Sequence, residues 1–444
     1  MSSMYEILKK INGLPVAPVS LGTDQQNEIL RQELPFKVLE YESGREHNGW
    51  IVPDDWQVIK AEIKKDGKLI YDGKVNPLGV IGYSTSFNGK VDLTELKKHL
   101  FYFENSPDDL VYHCDFYYKP HQRTWGFSVP YNLYKDLSEG EYEISLETKN
   151  TKGKMKALEY THQGESEKTI IFNAHNCHAA QLNDGPAGYV VFMEAMKRLK
   201  ERKTKYTYRL VIAPEHLGTV FYLIDLKPKE IKNFKLGIFL EMVGHNNPIF
   251  SLQESFNGRS LIDRIAHHVL KFKSQGYWSA PYRKIIGNDE SVWEAAGYEI
   301  PMISLSRCQS VDFTYPQYHL SSDNIDIINQ DKLEETVGMI MAMIDILEKD
   351  CFLKRKFTGL VALSNPKYDL YIVPGTDPSM KNDDLKKNND SWYELMDRLP
   401  RECNDSITIF DLAEKYHLPF DQVYDYLKKF QEKGLIEFIE KDII

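Results

Sequence analysis

Ile170–Met196 reads "IIFNAHNCHAAQLNDGPAGYVVFMEAM": an apolar run, then two histidines, a cysteine and an aspartate, then a helix launched from Gly185-Pro186. A short apolar run such as that in "KTIIFNA" predicts a buried strand, and proline is tolerated in the first turn of a helix. The strand thus carries His175 and His178 to the sheet edge, and Asn183-Asp184-Gly185 turns tightly to present a carboxylate. Gly185 and Gly188 permit close backbone approach, and the dipole of the helix lies behind the loop.

The same alternation continues downstream. "YTYRLVIAP", "KLGIFLEMVG" and "IPMISLSR" read as strands; "HLGTVFYLIDL", "SLIDRIAHHVLKF" and "DKLEETVGMIMAMIDILEKD" read as helices. Strands alternating with helices predict an α/β fold with a mostly parallel sheet flanked by helices. Ligands in such folds bind at the carboxyl ends of the strands.

Upstream the pattern differs. Residues 1–35 read as helical with a break at Gly13–Pro15, and "WIVPDDWQVIKAEIKKDGKLIYDGKV" (Trp50–Val75) alternates apolar and polar residues with hairpin turns at Asp66-Gly67 and Asp72-Gly73. Downstream, "NPKYDLYIVPGTDPSMKNDDLKKNNDS" has the Pro, Asp and Asn content of a linker. The sequence after it predicts two helices, a turn, a third helix and a short strand, with Asp421 as a helix cap and Gly434 as a helix stop.

Composition bounds the function. The 444 residues are 42% hydrophobic and 27% charged, enough for two or three domains with their own cores. A net charge of −10 gives no long-range attraction to nucleic acid or to an anionic membrane. No run approaches the roughly 18 apolar residues of a membrane span. The start lacks the apolar segment of a secretory signal, and the five cysteines are scattered without CxxC spacing. A reducing, cytoplasmic setting is the expectation.

The polar residues fall at strand ends: His175 and His178 after the first, Glu215 and His216 after the second, Glu241 after the third, and His319 in "YPQYHLSSDN" past the fourth. Asp184 precedes a helix. Imidazole nitrogen and carboxylate oxygen are the donors zinc favours, and one bridging aspartate can hold two ions about 3.5–4 Å apart.

"NAHNC…LNDGPAG", "APEHLG", "LEMVG" and "YHLSSDN" occur in the order found in the co-catalytic zinc aminopeptidases, which the chain resembles. It is more closely similar to bacterial aminopeptidase-like proteins of unassigned substrate, with an inserted β domain and a C-terminal winged helix. "WIVPDDW", "NPLGVIGYST" and "RTWGFSV" carry that part of the likeness, which spans nearly the whole chain. The resemblance implies a zinc-peptidase-like α/β domain at residues 1–40 and 150–365, an insert at 41–149, a linker at 366–384 and a winged-helix domain at 385–444.

Carried over position by position, the resemblance implies one or two Zn2+ sharing Asp184, with His175 and Glu241 completing one half-site and His216 and His319 the other. Glu215 would be the general base for a water acidified by zinc. Three positions depart from the family pattern. Glu241 stands where aspartate is usual, His216 where a second glutamate is usual, and Cys177 where an aspartate normally orients the first histidine. His178 is therefore an alternative to His175 as ligand.

Other roles are read from the residues or implied by the resemblance. Glu215 could cap the following helix instead, although His-x-Gly after it favours the base. For "GNDESVW" the resemblance implies a substrate contact at Asp289, because the aminopeptidases carry a similar element beside the substrate, while a helix cap by Asp289 or Ser291 is the other reading; Arg307 and Tyr318 are candidate holders of a substrate carboxylate or amine. His245, His267 and His268 read as loop or structural residues. Residues 391–444 hold 12 Asp/Glu against 7 Lys/Arg, so protein contact or homo-oligomer packing is expected there, not nucleic acid. The expected activity is metal-assisted hydrolysis of an amide, and the resemblance implies removal of an N-terminal residue from a small peptide as the default. The alternatives are a deacylase linked to polysaccharide synthesis and a non-catalytic regulator on a peptidase fold.

Overall fold

In the computed structural model, residues 3–114, 119, 122–372, 383–440 and 444 are described. The chain divides into two compact units, one of Met1–Asp263 with Ser274–Ile340, the other of Arg264–Lys273 with Met341–Ile444.

The first unit opens with helices α1 (Met4–Ile11) and α2 (Leu21–Glu33), strand β1 (Lys37–Glu42) and a small hairpin of β2 (Glu46–His47) and β3 (Trp50–Ile51). Next come β4 (Asp55–Lys65), β5 (Lys68–Asp72), β6 (Phe87–Asp92), helix α3 (Leu93–Lys97), β7 (Leu100–Phe101), β8 (Phe127–Ser128), helix α4 (Tyr131–Asp136) and β9 (Glu141–Thr151). The α/β part continues through β10 (Lys154–His162), β11 (Thr169–His175), α5 (Pro186–Leu199), β12 (Thr207–Ala213), α6 (Leu217–Ile224), α7 (Pro228–Asn233), β13 (Phe234–Leu240) and β14 (Phe250–Gln253). Then follow α8 (Leu261–Lys273), which belongs to the second unit from Arg264 on, β15 (Tyr277–Ala280), α9 (Glu290–Trp293), β16 (Met302–Ser306) and α10 (Gln330–Lys349), which belongs to the second unit from Met341 on.

The fold is mixed α/β around an eight-stranded sheet of order β1-β10-β12-β11-β13-β16-β14-β15. Its central strands β12, β11, β13 and β16 are parallel, and all seven residues of β11 are buried. That is why "TIIFNAH" shows no alternation: both faces are covered, so every position is selected for burial. Helix α5 packs on β11 through Phe192 stacked on Phe172 at 4.7 Å. Each such fully buried ring contributes about 1.5–3 kcal/mol. At Gly188 a Cβ would stand 1.9 Å from the Leu240 carbonyl oxygen, so α5 and the end of β13 can meet this closely only through glycine.

Strands β5-β4-β9-β6 form a separate antiparallel sheet. The turn between β4 and β5 has positive φ at both Asp66 (50°) and Gly67 (72°), the type I′ geometry that Asp-Gly favours. On β9, Tyr142, Ile144 and Leu146 are buried in alternation and meet Ala61 and Ile63 of β4 in one core.

The second unit contains β17 (Phe352–Arg355), α11 (Asp383–Glu402), β18 (Asn404–Thr408), α12 (Ile409–Lys415), α13 (Phe420–Glu432) and β19 (Ile436–Ile439), with an antiparallel sheet β18-β17-β19. Thr408 and Asp411 form a capping box at α12. Asp421 does not cap α13: the cap position is Pro419, and Asp421 pairs with Lys273 at 2.9 Å from the first turn. The first amide of α13, on Phe420, donates instead to His268 Nε2 at 3.1 Å. Gly434 follows α13 with φ +70°, as a helix stop should. Of the stretch read as a linker, residues 373–382 lie outside the described residues, and α11 begins at Asp383. Among the described residues no helix is long and apolar enough to cross a membrane.

Candidate metal centre

Four parallel strands end at one edge of the sheet, and the polar side chains gather just beyond it. His175 is the last residue of β11, Glu241 follows β13, and Asp184 sits in the loop before α5. The two oxygens of Asp184 face different neighbours. His175 Nε2 is 3.5 Å from Oδ1, while His178 Nε2 and His319 Nε2 are 3.3 and 3.7 Å from Oδ2. Glu241 Oε2 is 3.3 Å from His175 Nε2.

These separations exceed an ordinary charge-assisted N–H···O bond of about 2.7–2.9 Å. They match the spacing of neighbouring donors on a tetrahedral ion: ligand atoms about 2.0–2.1 Å from zinc lie roughly 3.3 Å apart. The nitrogens His175 Nε2 and His178 Nε2 and the Glu241 oxygen Oε1 are buried without a hydrogen-bond partner, a costly arrangement without a cation. His178 sharpens the case. Its Nδ1 lies 2.8 Å from the Ala179 carbonyl, which can only accept, so Nδ1 carries the proton of a neutral ring and Nε2 points a lone pair at a carboxylate. Among the described residues three donor groups could hold a divalent ion: His175-Asp184-Glu241 and His178-Asp184-His319, which share Asp184, and His175-Cys177-Glu215, which lacks it.

Electrostatics agree. Burial disfavours the His175 cation, but the carboxylates of Asp184 and Glu241 beside the ring oppose that and raise its pKa above the usual value. Burial alone would raise the Asp184 carboxyl; the imidazoles of His175, His178 and His319 that face it bring it well below the usual carboxylate range. Burial lifts Glu241 to about 7, against the opposing pull of His175. The pocket is built to favour positive charge.

The supporting contacts are specific. Asp323 accepts the Asn183 and Asp184 amides at 2.7 and 3.2 Å and the Tyr315 hydroxyl at 2.7 Å, which fixes the turn that aims Asp184. Asn288 Nδ2 donates to Glu241 Oε2 at 2.5 Å, and Tyr112 stacks on His178 at 3.9 Å. At Gly185 a Cβ would fall 2.3 Å from the His175 carbonyl oxygen. Non-glycine residues with positive φ cluster here: Ala180, His216, Met242 and His319. Such strain persists only where surrounding contacts enforce it, and it concentrates at working sites.

Glu215 stands beside the cluster, its Oε2 3.8 Å from Cys177 Sγ, and it makes no cap to α6; the cap position is His216, without a side-chain bond. Burial pushes the Glu215 carboxyl up to about 8, with Asp289, Asp184 and Glu241 adding to the rise and His175 opposing it. The side chain keeps 27% exposure to the cleft, so solvent moderates that rise. Cys177 lies 3.5 Å from His175 Nδ1, and burial drives its thiol up to about 12. It is a neutral neighbour of the first histidine.

His216 is not brought to Asp184. It falls in neither group around that carboxylate; its ring stacks on Trp50 at 5.9 Å and its Nδ1 is 3.5 Å from Glu215. His178, not His216, stands at that carboxylate, with Nε2 3.3 Å from Oδ2. Arg307 is a correction too: it is fully buried, 3.8 Å over the Phe250 ring, and bonded to Glu335 and to the Asn247 carbonyl, so it cannot meet a substrate. Asp289 is buried as well; it accepts the His216 amide and the Thr219 hydroxyl and so holds the start of α6. Tyr318 stacks on His319 and, with Trp50, Tyr112, Glu215 and His216, lines a cavity of about 360 Å³ beside the cluster. Asp323 was within reach of the sequence, in "YHLSSDN"; Asn288 and Tyr112 carried no local signal.

A family model described as a domain of unknown function (DUF4910) matches residues 4–350. A Clostridium acetobutylicum protein bearing the provisional name "polysaccharide biosynthesis protein with aminopeptidase-like domain" is 28% identical over 349 residues, covering 78% of each chain. A crystal structure provisionally called a peptidase, from the same organism, aligns with TM-score 0.81 at 24% identity over 98% of this chain and 96% of its own. A zinc aminopeptidase of Bacillus subtilis aligns with TM-score 0.57 at 13% identity over 78% of this chain and 95% of its own. The chain thus has an aminopeptidase-like peptidase fold, with residue groups able to bind metal at the edge of its sheet.

Proposed function

The chain belongs to the DUF4910 family, and from that premise we propose that it is a metal-dependent amide hydrolase, acting by default as an aminopeptidase on small peptides. The observation that carries the reading is the shared carboxylate: Asp184 offers Oδ1 to His175 and Oδ2 to His178 and His319, all at ligand-to-ligand spacing. We assign His175, Asp184 and Glu241 to one zinc ion, and His178, Asp184 and His319 to a second. Zinc held there would supply Lewis acidity toward a carbonyl oxygen and acidify water.

The chain's own residues supply the rest. Glu215, beside both donor groups, takes a proton from the attacking water on its carboxylate and returns it to the leaving nitrogen. The raised Glu215 pKa suits that exchange near neutrality. Tyr318 and Trp50 wall the cavity and position the substrate against the cluster. A small amide within a polysaccharide precursor is a second substrate class, favoured by the relative's provisional name. Residues 385–444 are read as a winged helix, supported by α11–α13 with strands β18 and β19, whose antiparallel sheet is completed from outside that range by β17 (Phe352–Arg355), and the excess of acidic residues in 391–444 fits protein contact better than nucleic acid.

The test is aminoacyl-anilide and dipeptide hydrolysis by zinc-loaded wild type and Glu215→Gln. Activity lost at full metal occupancy supports the reading. Retained zinc with no hydrolysis of any amide by wild type favours a ligand-binding regulator instead.

A further inference from the structure

We infer that Arg283 makes the cleft selective for substrates carrying an oxyanion, a carboxylate or phosphate, on the part of the molecule that lies against Trp50. The inference deepens the hydrolase reading and rests on it.

A second cavity of about 830 Å³ adjoins the one beside the donor cluster, and Trp50, His216 and Gly287 line both. One wall is the β2–β3 hairpin, whose turn has φ of 50° at Asn48 and 86° at Gly49 and so takes the tight type I′ form. The hairpin presents Trp50 flat against His216, 5.9 Å apart and 21° from parallel. This shared stack continues from the reaction cavity into the larger space, a surface for a planar or sugar-like group. In a chain of net charge −10, the described residues lining the larger cavity include no aspartate or glutamate, and Arg283 is their one permanent charge. Its head group is not remote. A Cβ at Gly287 would lie 2.5 Å from Arg283 Nη2, so the guanidinium rests against the glycine that borders both cavities. A planar fork of donors at that junction suits bidentate capture of a carboxylate or phosphate.

The probes are zinc-loaded full-length protein and two matched pairs of C-terminally amidated dipeptides, Leu-Glu-NH2 with Leu-Gln-NH2 and Leu-phosphoserine-NH2 with Leu-Ser-NH2, so that only one member of each pair carries an oxyanion. Wild type should show kcat/KM about tenfold higher for the anionic member of at least one pair, the gain expected of one charge-assisted contact. The pair with the larger ratio identifies the anion as carboxylate or phosphate. R283Q should bring the ratio to about one, and R283K should keep part of it because a lysine is a point charge without the fork. Binding of the same pairs to zinc-loaded E215Q, followed by calorimetry, separates the two levels of the argument. If wild type cleaves nothing, yet E215Q binds the anionic member about tenfold tighter and E215Q/R283Q does not, the Arg283 assignment stands and the hydrolase reading falls. A ratio of one in wild type for both pairs, in rate and in binding, overturns the assignment, as does a preference that R283Q leaves unchanged.

Discussion

His178 faces Asp184 with Nε2 3.3 Å from Oδ2, while its other nitrogen is held by the Ala179 carbonyl at 2.8 Å. In a neutral ring this sets a lone pair against a carboxylate oxygen. Such a pair is stable in a buried site only with a cation between the partners.

His178 and His216 should therefore separate in metal content. H178Q is expected to weaken binding at the Oδ2 side by more than the 10–100-fold, roughly, typical of outer-sphere partners. H216Q should leave zinc stoichiometry unchanged, since that ring stacks on Trp50. Elemental analysis of dialysed protein checks both; equal losses would contradict the assignment.

E215Q tests chemistry without the metal. It should retain zinc and fold normally while losing about 10²–10⁴ in kcat, the range for a general base. The measurement is steady-state hydrolysis alongside metal analysis of the same sample.

Gly188→Ala probes the packing that brings α5 to the sheet edge. The added methyl meets the Leu240 backbone at 1.9 Å, which no rotamer change relieves. A loss of about 2–3 kcal/mol is expected, at the upper end of overpacking penalties. Denaturant unfolding would read it, and an unchanged midpoint would show that α5 shifts freely.

Legibility followed burial and local order. The four central strands were readable because strands covered on both faces select apolar residues at every position, as in Thr169–His175. The edge strand β1 and its neighbour β10 were not legible: "KVLEYE" and "KMKALEYTH" carry charges, and they pair with each other over a separation of more than a hundred residues that no local pattern encodes. The donor residues themselves stood out at strand ends. That His175 and His178 both face Asp184 while His216 does not depends on φ and ring orientation, which no local pattern encodes: His216 at φ 52° turns toward Trp50, and His178 is aimed by Ala179. Arg307 looked available because its burial beneath Phe250 and its partner Glu335 lie far along the chain.

The second unit should be acid-sensitive through His268. Burial lowers this ring to about 4, with the charges of Lys271 and Lys273 in the same direction and Asp421 opposing, and its Nε2 must stay unprotonated to accept the Phe420 amide. The folded pKa lies below the unfolded value of about 6.5. Its contribution is therefore complete above pH 6.5 or so and is lost as pH falls toward 4, by at most about 3 kcal/mol. Asp350, raised to about 6 by burial, titrates in the same window with opposite sign. Comparison with H268Q isolates the histidine: its melting temperature should fall less between pH 7 and pH 5 than that of wild type.

The central claim is that Asp184 bridges two cations. Anomalous diffraction at the zinc edge on zinc-loaded crystals tests it most directly. Two peaks are expected, one among His175, Asp184 and Glu241, the other among His178, Asp184 and His319, about 3.5–4 Å apart. No peak at Asp184, or a peak held by His216 away from it, would contradict the account.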